Sequence, residues 1–259
     1  MMSYFESYGE HNPETIVFIH GTALSGWMWQ YQVKELQADY HCLVPDLPAH
    51  GQNLQDTPFT IQRSVDAIAR LITDHAHDSK AHLVGLSLGG LIVLEFVRKY
   101  PHLVKRAVIS APPSGPIDGT PFLIALTRIA LPLFKSDFVI KQSAKQLKMT
   151  GDAYQHFWRD QKAMSGDTLR RIAREVHQHR LPVMLQRSEI PLLALLGEYD
   201  NKINYQVVRH LVRMMPSAQG RIAPNVGHGW NGENPTLFNQ SVRQWLMDET
   251  IPDALLPLN

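Results

Sequence analysis

Residues 81–91 contain the pattern Gly85-x-Ser87-x-Gly89 between an apolar, strand-like run and a helix-like run. A serine hydroxyl is a weak nucleophile, so a protein that uses one must hold it in the open beside a base. A sharp turn from a strand into a helix does this, and it crowds the backbone so closely that glycine is needed on both sides. The helix that follows directs its free N–H groups toward developing negative charge. Ser87 is therefore the predicted nucleophile.

A base and an acid for this serine stand near the end of the chain. His228 lies in a glycine-rich loop after the strand-like run at 220–223, and Asp200 follows the apolar run at 191–196. Asp200 follows a strand-like run as Ser87 does, so both are expected at the carboxyl edge of one sheet, and the glycines around His228 could bring its imidazole over the serine. The imidazole would take the serine proton, while the carboxylate fixes the histidine tautomer and stabilises the imidazolium. Asp118 is a rival for the acid, but it stands in a turn-rich segment where aspartate is common.

The chain has 13 histidines, and the others are predicted to be structural. His20 and His50 are expected to hold turns through hydrogen bonds. Two His-x-His pairs, at 75 and 77 and at 177 and 179, could suggest a metal site. Positions two apart on a helix do not share a face, so both pairs are expected on solvated helix surface. No metal and no cofactor are predicted.

Strand-like and helix-like runs alternate along most of the chain. Several of the strand-like runs are continuously apolar, which is typical of strands buried on both faces. The predicted fold class is α/β, with a mostly parallel sheet and helices on both faces. The predicted strands are 15–20, 41–45, 81–85, 105–110, 191–196 and 220–223, and the predicted helices include 60–76, 88–100, 205–214 and 235–247.

The alternation stops between residues 112 and 189, where helix-like segments follow one another without an obvious strand. An all-helical insertion in a regular α/β chain is expected to cover the carboxyl edge of the sheet, where ligands of open α/β sheets bind. The predicted organisation is thus a core of residues 1–111 and 190–259 and a helical cap of residues 112–189.

Four signatures together resemble the α/β-hydrolase superfamily, specifically its capped, single-domain esterase-like members. The resemblance covers nearly the whole chain apart from the insertion, although Ala49 and Asn53 replace a glycine and a serine that are usual in the second signature. The four signatures are His20-Gly21-Thr22, Asp46-Leu47-Pro48-Ala49-His50-Gly51, the turn around Ser87, and the late pair Gly197-Glu198-Tyr199-Asp200 and Gly227-His228.

The resemblance implies the chain order serine, acid, histidine, which Ser87, Asp200 and His228 follow. It also implies an oxyanion hole made by the backbone N–H groups of Thr22 and Leu88. Trp27, Leu126 and Trp230 are the predicted substrate-binding residues. Leu126 belongs to the run 121–134, which is apolar around most of its helical circumference and carries Arg128 as its only charge. A helix without a polar face must be buried on both sides, so part of this surface is expected to line an apolar pocket.

Composition narrows the classes of partner. Of 259 residues, 44% are hydrophobic and 19% are charged, and the net charge of +1 predicts neither a nucleic-acid nor a membrane partner. Cys42 is the single cysteine, so an intramolecular disulfide cannot form. The start of the chain lacks the pattern of a secretory signal, which favours a cytoplasmic protein. We expect a small-molecule substrate and a monomer or homodimer.

The leading interpretation is a serine hydrolase that cleaves a small, mostly apolar carboxylic ester through an acyl-enzyme intermediate. The same triad serves thioesters, lactones, amides and carbon–carbon bonds, so a carbon–carbon hydrolase or lyase acting on a keto-acid is the enzymatic alternative. A small-molecule receptor without catalysis and an interaction protein are the alternatives from other classes. Turnover of an activated ester would argue against both.

Overall fold

The computed structural model describes residues 4–114 and 135–258. Its centre is an eight-stranded sheet with the strand order β1-β3-β2-β4-β5-β6-β7-β8. The six inner strands are parallel, and β1 and β8 pair with them antiparallel at the two edges. The strands are β1 Phe5–Tyr8, β2 Thr15–Ile19, β3 His41–Pro45, β4 Ala81–Leu86, β5 Val104–Ser110, β6 Leu192–Gly197, β7 Ala218–Ala223 and β8 Leu256–Pro257.

The continuous apolar runs form the inner strands because both faces of the sheet are covered. In β2, Val17 and Ile19 belong to one hydrophobic cluster, whereas Ile16 and Phe18 belong to the cluster on the opposite face. Successive side chains of a strand point to opposite faces, so every residue of such a strand must be apolar.

Helices cover both faces of the sheet. The cluster that includes Val17 is completed by the helices Ile61–His75, Leu88–Lys99 and Lys202–Met214. The cluster that includes Ile16 is completed by the helices Gln30–Leu36 and Pro235–Asp248. The predicted fold class, a mostly parallel sheet with helices on both faces, is confirmed. The helices of this core are α1 Gln30–Leu36, α2 Ile61–His75, α3 Leu88–Lys99, α7 Lys202–Met214, α8 Trp230–Glu233 and α9 Pro235–Asp248.

Between β5 and β6 the described residues 135–189 form helices and no strand. These helices are α4 Asp137–Gln146, α5 Gly151–Ala163 and α6 Gly166–Gln178. Serine side chains cap two of them, since Ser136 accepts from the backbone N–H of Val139 and Ser165 accepts from that of Thr168. The predicted apolar helix at 121–134, with Leu126 and Arg128, lies outside the described residues.

The order of strands creates a crevice above β2 and β4. The chain passes from β2 to β3 on one side and then returns to β4 on the other side, so the loops after β2 and β4 diverge. Ligands of open α/β sheets bind at such a switch point, outside the carboxyl ends of the strands.

In the described part of the chain, no helix has both the length and the apolar character needed to cross a membrane.

Candidate active site

Ser87 occupies the sharp turn between β4 and α3. Its backbone has φ 56° and ψ −120°, a conformation that a residue other than glycine rarely adopts. Strain of this kind costs about 1–3 kcal/mol and persists where the surrounding structure enforces it. Here the backbone N–H of Ser87 donates to the carbonyl of Ser110 at 2.8 Å, which ties the turn to β5. Ser87 is partly exposed, whereas its neighbours Leu86 and Leu88 are buried.

The two glycines of the motif are required by close backbone approaches. A Cβ atom on Gly85 would lie 2.4 Å from the carbonyl oxygen of Gly89, and one on Gly89 would lie 2.0 Å from that of Ile19. Both distances are far below a van der Waals contact, so any larger residue would force β4, α3 and β2 apart. The turn therefore depends on glycine on both sides of the serine.

The acid and the histidine stand on loops that contact each other through the backbone. The N–H of Tyr199 donates to the carbonyl of Val226 at 2.9 Å, and a Cβ on Gly197 would lie 2.2 Å from the carbonyl oxygen of Gly227. These loops follow β6 and β7, which are neighbours in the sheet. The pairing of the two strands thus brings Asp200 beside His228.

His228 and Asp200 are in contact. The Nδ1 atom of His228 lies 3.2 Å from Oδ1 and 3.3 Å from Oδ2 of Asp200. The Asp200 side chain is 1% exposed and that of His228 is 33% exposed. The Oδ1 atom of Asp200 also accepts from the backbone N–H of Asn201 at 2.9 Å and from Nδ2 of Asn204 at 2.8 Å. A carboxylate held by several donors keeps one orientation, and so does the imidazole that it contacts.

Ser87 and His228 line one pocket of about 390 Å³. The floor comes from the core, and the roof comes from α4, α5 and the segment between them. Apolar side chains make up much of its wall: Leu24, Met28, Leu86, Leu147, Met149 and Phe157. Polar groups at the wall include Thr22, Gln30, Ser143, Lys148, Gln161 and Asn231. A pocket that combines apolar walls with polar groups is typical of a small-molecule site.

Residues 21–27, here named the oxyanion loop, follow β2 and border the same pocket. Gly21 and Thr22 line it beside Ser87. Leu88 is the first residue of α3, so its N–H is one of the free donors at the start of that helix. Both predicted oxyanion donors, Thr22 and Leu88, thus belong to segments that border Ser87.

His20 and His50 lie behind this loop and are fully buried. The Nε2 atom of His20 accepts from the N–H of Leu47 at 2.9 Å, and Nδ1 donates to the carbonyl of Gly21 at 2.8 Å. The Nδ1 atom of His50 lies 2.9 Å from the carbonyl oxygen of Pro48. Burial lowers the pKa of His20 to about 4 and that of His50 to about 3. Both therefore hold turns as neutral imidazoles.

The expectation of a solvated surface is wrong for His179. Its Nε2 atom lies 2.9 Å from Oε1 of Glu95 on α3, and its Nδ1 atom lies 3.2 Å from Oγ of Ser114. Its side chain is buried because the end of α6 packs against the core. Among the residues of known placement, no group of three or more His, Cys, Asp or Glu side chains could hold a metal ion.

The predicted substrate-binding residues have different positions. Trp27 lines the pocket. Trp230 does not, because it is fully buried in the core, where its indole N–H donates to Oγ of Ser110 at 2.9 Å and its ring packs on Phe238 at 4.7 Å. The position of Trp230 is thus that of a core residue. Leu126 and the rival acid Asp118 lie outside the described residues.

Sequence analysis did not identify Asn204 or Glu233, which support the acid and the histidine. The Oε1 atom of Glu233 accepts from the N–H of Gly227 at 3.1 Å, and Gly227 immediately precedes His228. The Oε2 atom of Glu233 lies 2.6 Å from Nζ of Lys148. Asn204 follows Asn201 by three residues, and Asn201 caps α7. An N-cap side chain accepts from the N–H three positions later, so an N-cap at Asn201 brings Asn204 close to it. Because Asp200 directly precedes Asn201, this pattern could have placed Asn204 beside Asp200.

The chain is similar in sequence to known hydrolases. A sequence model described as the alpha/beta hydrolase family matches residues 16–241. An AB hydrolase superfamily protein of Gibberella zeae is 28% identical over 95% of this chain and 86% of its own length. A Bacillus subtilis protein named carboxylesterase YbfK is 24% identical over 92% of this chain and 82% of its own length.

A solved structure supports the fold independently. The structure of a thermophilic esterase from Thermogutta terrifontis, with malate bound, superposes with a TM-score of 0.78 at 22% identity. The match covers 94% of this chain and 92% of that chain. Given the family match over most of its length and the sheet topology, the chain belongs to the alpha/beta hydrolase family.

Proposed function

We propose that this protein is a serine hydrolase that cleaves small, mostly apolar carboxylic esters through an acyl-enzyme intermediate. One observation carries the proposal. Ser87, held on a strained turn, and His228, backed by the buried carboxylate of Asp200, line one pocket with apolar side chains in its wall. A nucleophile, a base and an orienting acid with these roles are the components of acyl transfer.

In the first half of the proposed reaction, Oγ of Ser87 attacks the ester carbonyl carbon. The Asp200 carboxylate accepts hydrogen bonds but donates none, so Nδ1 of His228 keeps its hydrogen. The Nε2 atom is then free to take the serine proton. The tetrahedral oxyanion receives hydrogen bonds from the N–H groups of Thr22 and Leu88. The carbon–oxygen bond to the leaving alcohol then breaks as the imidazolium returns the proton to that oxygen.

In the second half, water replaces the alcohol. His228 takes a proton from the water while its oxygen attacks the acyl carbon bound to Ser87. Collapse of the second tetrahedral intermediate breaks the bond to Oγ, and the proton passes back to the serine. The products are a carboxylic acid and free enzyme. Asp200 stabilises the imidazolium in both halves and stays ionised throughout.

The choice of an apolar ester follows from the pocket wall. Leu147, Met149 and Phe157 come from the insertion and face the same space as Ser87. Lys148 lies among them, but its ammonium is paired with the buried Glu233 at 2.6 Å, so its charge is already compensated. Two curated relatives are named as carboxylesterases, which agrees with this class of substrate.

Covalent labelling and turnover test the proposal together. A fluorophosphonate should modify Ser87 once per chain, located by peptide mass mapping, and Ser87→Ala should abolish both labelling and hydrolysis of 4-nitrophenyl esters. Ser143 is a second serine at the pocket wall, so Ser143→Ala is the matched control and should still be labelled. Modification of another serine, or of none, would refute Ser87 as the nucleophile.

A panel of substrates tests the bond that is cleaved. Rates on 4-nitrophenyl esters, matched thioesters and amides, and a keto-acid with a cleavable carbon–carbon bond should be highest on the esters. Faster cleavage of the carbon–carbon bond would replace the ester proposal while leaving Ser87 as the nucleophile.

A further inference from the structure

Helix α5 of the insertion contacts the oxyanion loop through one face. His156 and Asp160 lie four positions apart and share that face, and Gln161 directly follows Asp160 at its border. The His156 ring stacks on Trp27 with centroids 5.5 Å apart, and Nε2 of Gln161 donates to the carbonyl of Ala23 at 3.1 Å. The insertion thus binds the loop that follows β2 at several points.

Asp160 makes the strongest of these contacts. Its Oδ2 atom accepts from Oγ of Ser25 at 2.6 Å and from the indole N–H of Trp27 at 2.7 Å. The side chain is 5% exposed, and the Arg159 guanidinium lies 3.4 Å from its other oxygen. A buried carboxylate that accepts two short hydrogen bonds from one loop restrains that loop more than neutral contacts do.

The oxyanion loop needs such restraint. Ala23 has φ +54°, a region that costs energy for a residue with a Cβ, and it directly follows Thr22. On the core side, the N–H of Gly26 donates to Oδ1 of Asp46 at 2.7 Å. The N–H of Gly21 donates to the weak acceptor Sδ of Met28 at 3.5 Å. Asp160 therefore supplies anchors that the core does not.

We propose that Asp160 is a positioning residue for the reaction: it fixes the oxyanion loop, so that docking of α5 and completion of the oxyanion hole are one event. This inference rests on the proposed function. Because Asp160 contacts the loop and not the reacting atoms, its loss should weaken stabilisation of the transition state more than binding of the substrate.

Kinetics of Asp160 variants test the inference. Asp160→Ala should lower kcat on a 4-nitrophenyl ester by about 10- to 100-fold with little change in KM, since small misplacements of catalytic groups cost this much. Asp160→Asn retains one acceptor and should lie between Asp160→Ala and the wild type. The matched control is Asp152→Asn, an exposed aspartate on the same helix, which should behave as wild type.

A transition-state analogue separates positioning from general loosening. The hemiketal that a trifluoromethyl ketone forms with Ser87 places its oxyanion in the hole, so its inhibition constant should rise in parallel with the loss of kcat. Affinity for the product acid should stay within about twofold. Ser25→Ala removes a single hydroxyl and should show the same pattern more weakly. When Ser25→Ala is combined with Asp160→Ala, it should cause no further loss, because Asp160→Ala has already removed the hydrogen bond between Ser25 and Asp160.

Hydrogen exchange provides a measurement that needs no activity. Backbone amides of residues 21–28 should exchange faster in Asp160→Ala than in Asp152→Ala. Unchanged exchange, or a rise in KM with kcat and the inhibition constant unaltered, would overturn the inference. If the wild type neither hydrolysed esters nor reacted at Ser87, the proposed function would fail, while the exchange measurement would still decide whether Asp160 holds the loop.

Discussion

The Nδ1 atom of His228 faces both oxygens of Asp200, at 3.2 Å and 3.3 Å, and the acid is almost fully buried while the imidazole is one-third exposed. In the proposed mechanism, the carboxylate removed from water is the orienting group and the histidine open to the pocket is the base. The predictions below start from this pair.

Loss of the Asp200 charge should reduce turnover strongly. Asp200→Asn is expected to lower kcat by about 10²-fold or more with KM little changed, since an amide cannot hold the correct tautomer or stabilise the imidazolium. Steady-state kinetics on a 4-nitrophenyl ester measure the effect, with Asp118→Asn as the comparison. If Asp118→Asn were the more damaging change, the acid would have to be reassigned to that residue.

Asn204 should contribute a smaller part of the same effect. Its Nδ2 atom donates to Oδ1 of Asp200 at 2.8 Å from a buried position on α7. Asn204→Ala removes one hydrogen bond worth about 1 kcal/mol, so we expect kcat to fall about fivefold. Gln206→Ala, at an exposed position on the same helix, is the control. Equal kinetics for the two variants would show that the carboxylate needs no support from Asn204.

The pocket wall should set the preferred acyl length. Each buried methylene of a substrate adds up to about 0.8 kcal/mol, so kcat/KM should rise from acetyl to butyryl or hexanoyl esters and then fall. Phe157 is 4% exposed and lines the pocket, so Phe157→Ala should move the optimum to a longer chain. Gln155→Ala, at an exposed position on α5, should leave it unchanged. A strict preference for acetyl esters in both the wild type and Phe157→Ala would mean that this wall does not select the substrate.

Acidification should destabilise the fold through its buried histidines. In the folded protein, burial lowers the pKa of His20 to about 4 and of His50 to about 3, from an ordinary value of 6.5. The unfolded chain therefore binds more protons below pH 6.5, so stability is fully present above that pH and is lost as the pH falls toward 4. Each histidine should contribute a slope of up to about 1.4 kcal/mol per pH unit.

Urea unfolding at pH 7 and pH 5 measures this slope. His50→Gln should be less stable than the wild type at pH 7 but should lose less stability on acidification. His210→Gln changes an exposed histidine and should retain the full slope. The same pH dependence in all three proteins would show that His50 is not the titrating group.

Local sequence determined the fold class and the turn at Ser87. Continuous apolar runs are compatible with strands covered on both faces. In the strand–Gly-x-Ser-x-Gly–helix segment, the close approach of Gly85 to Gly89 is a contact between neighbouring residues, so the local sequence indicates the turn. The edge strand β1 was not among the predicted strands, since Phe5–Tyr8 is brief and half-buried and carries no apolar run. The order of the motifs along the chain also predicted which acid and which histidine to consider.

Contacts between distant residues required the tertiary structure. Asp160 meets Ser25 across 135 positions, and Trp230 meets Ser110 across 120, so no local pattern reports either contact. Trp230, expected at the pocket, lies in the core because the short helix α8 packs its indole against β5 and α9. Spacing along a chain reports the conformation of neighbouring residues. Which side chains face the pocket depends on how the sheet and the insertion pack, and that is decided by the whole fold.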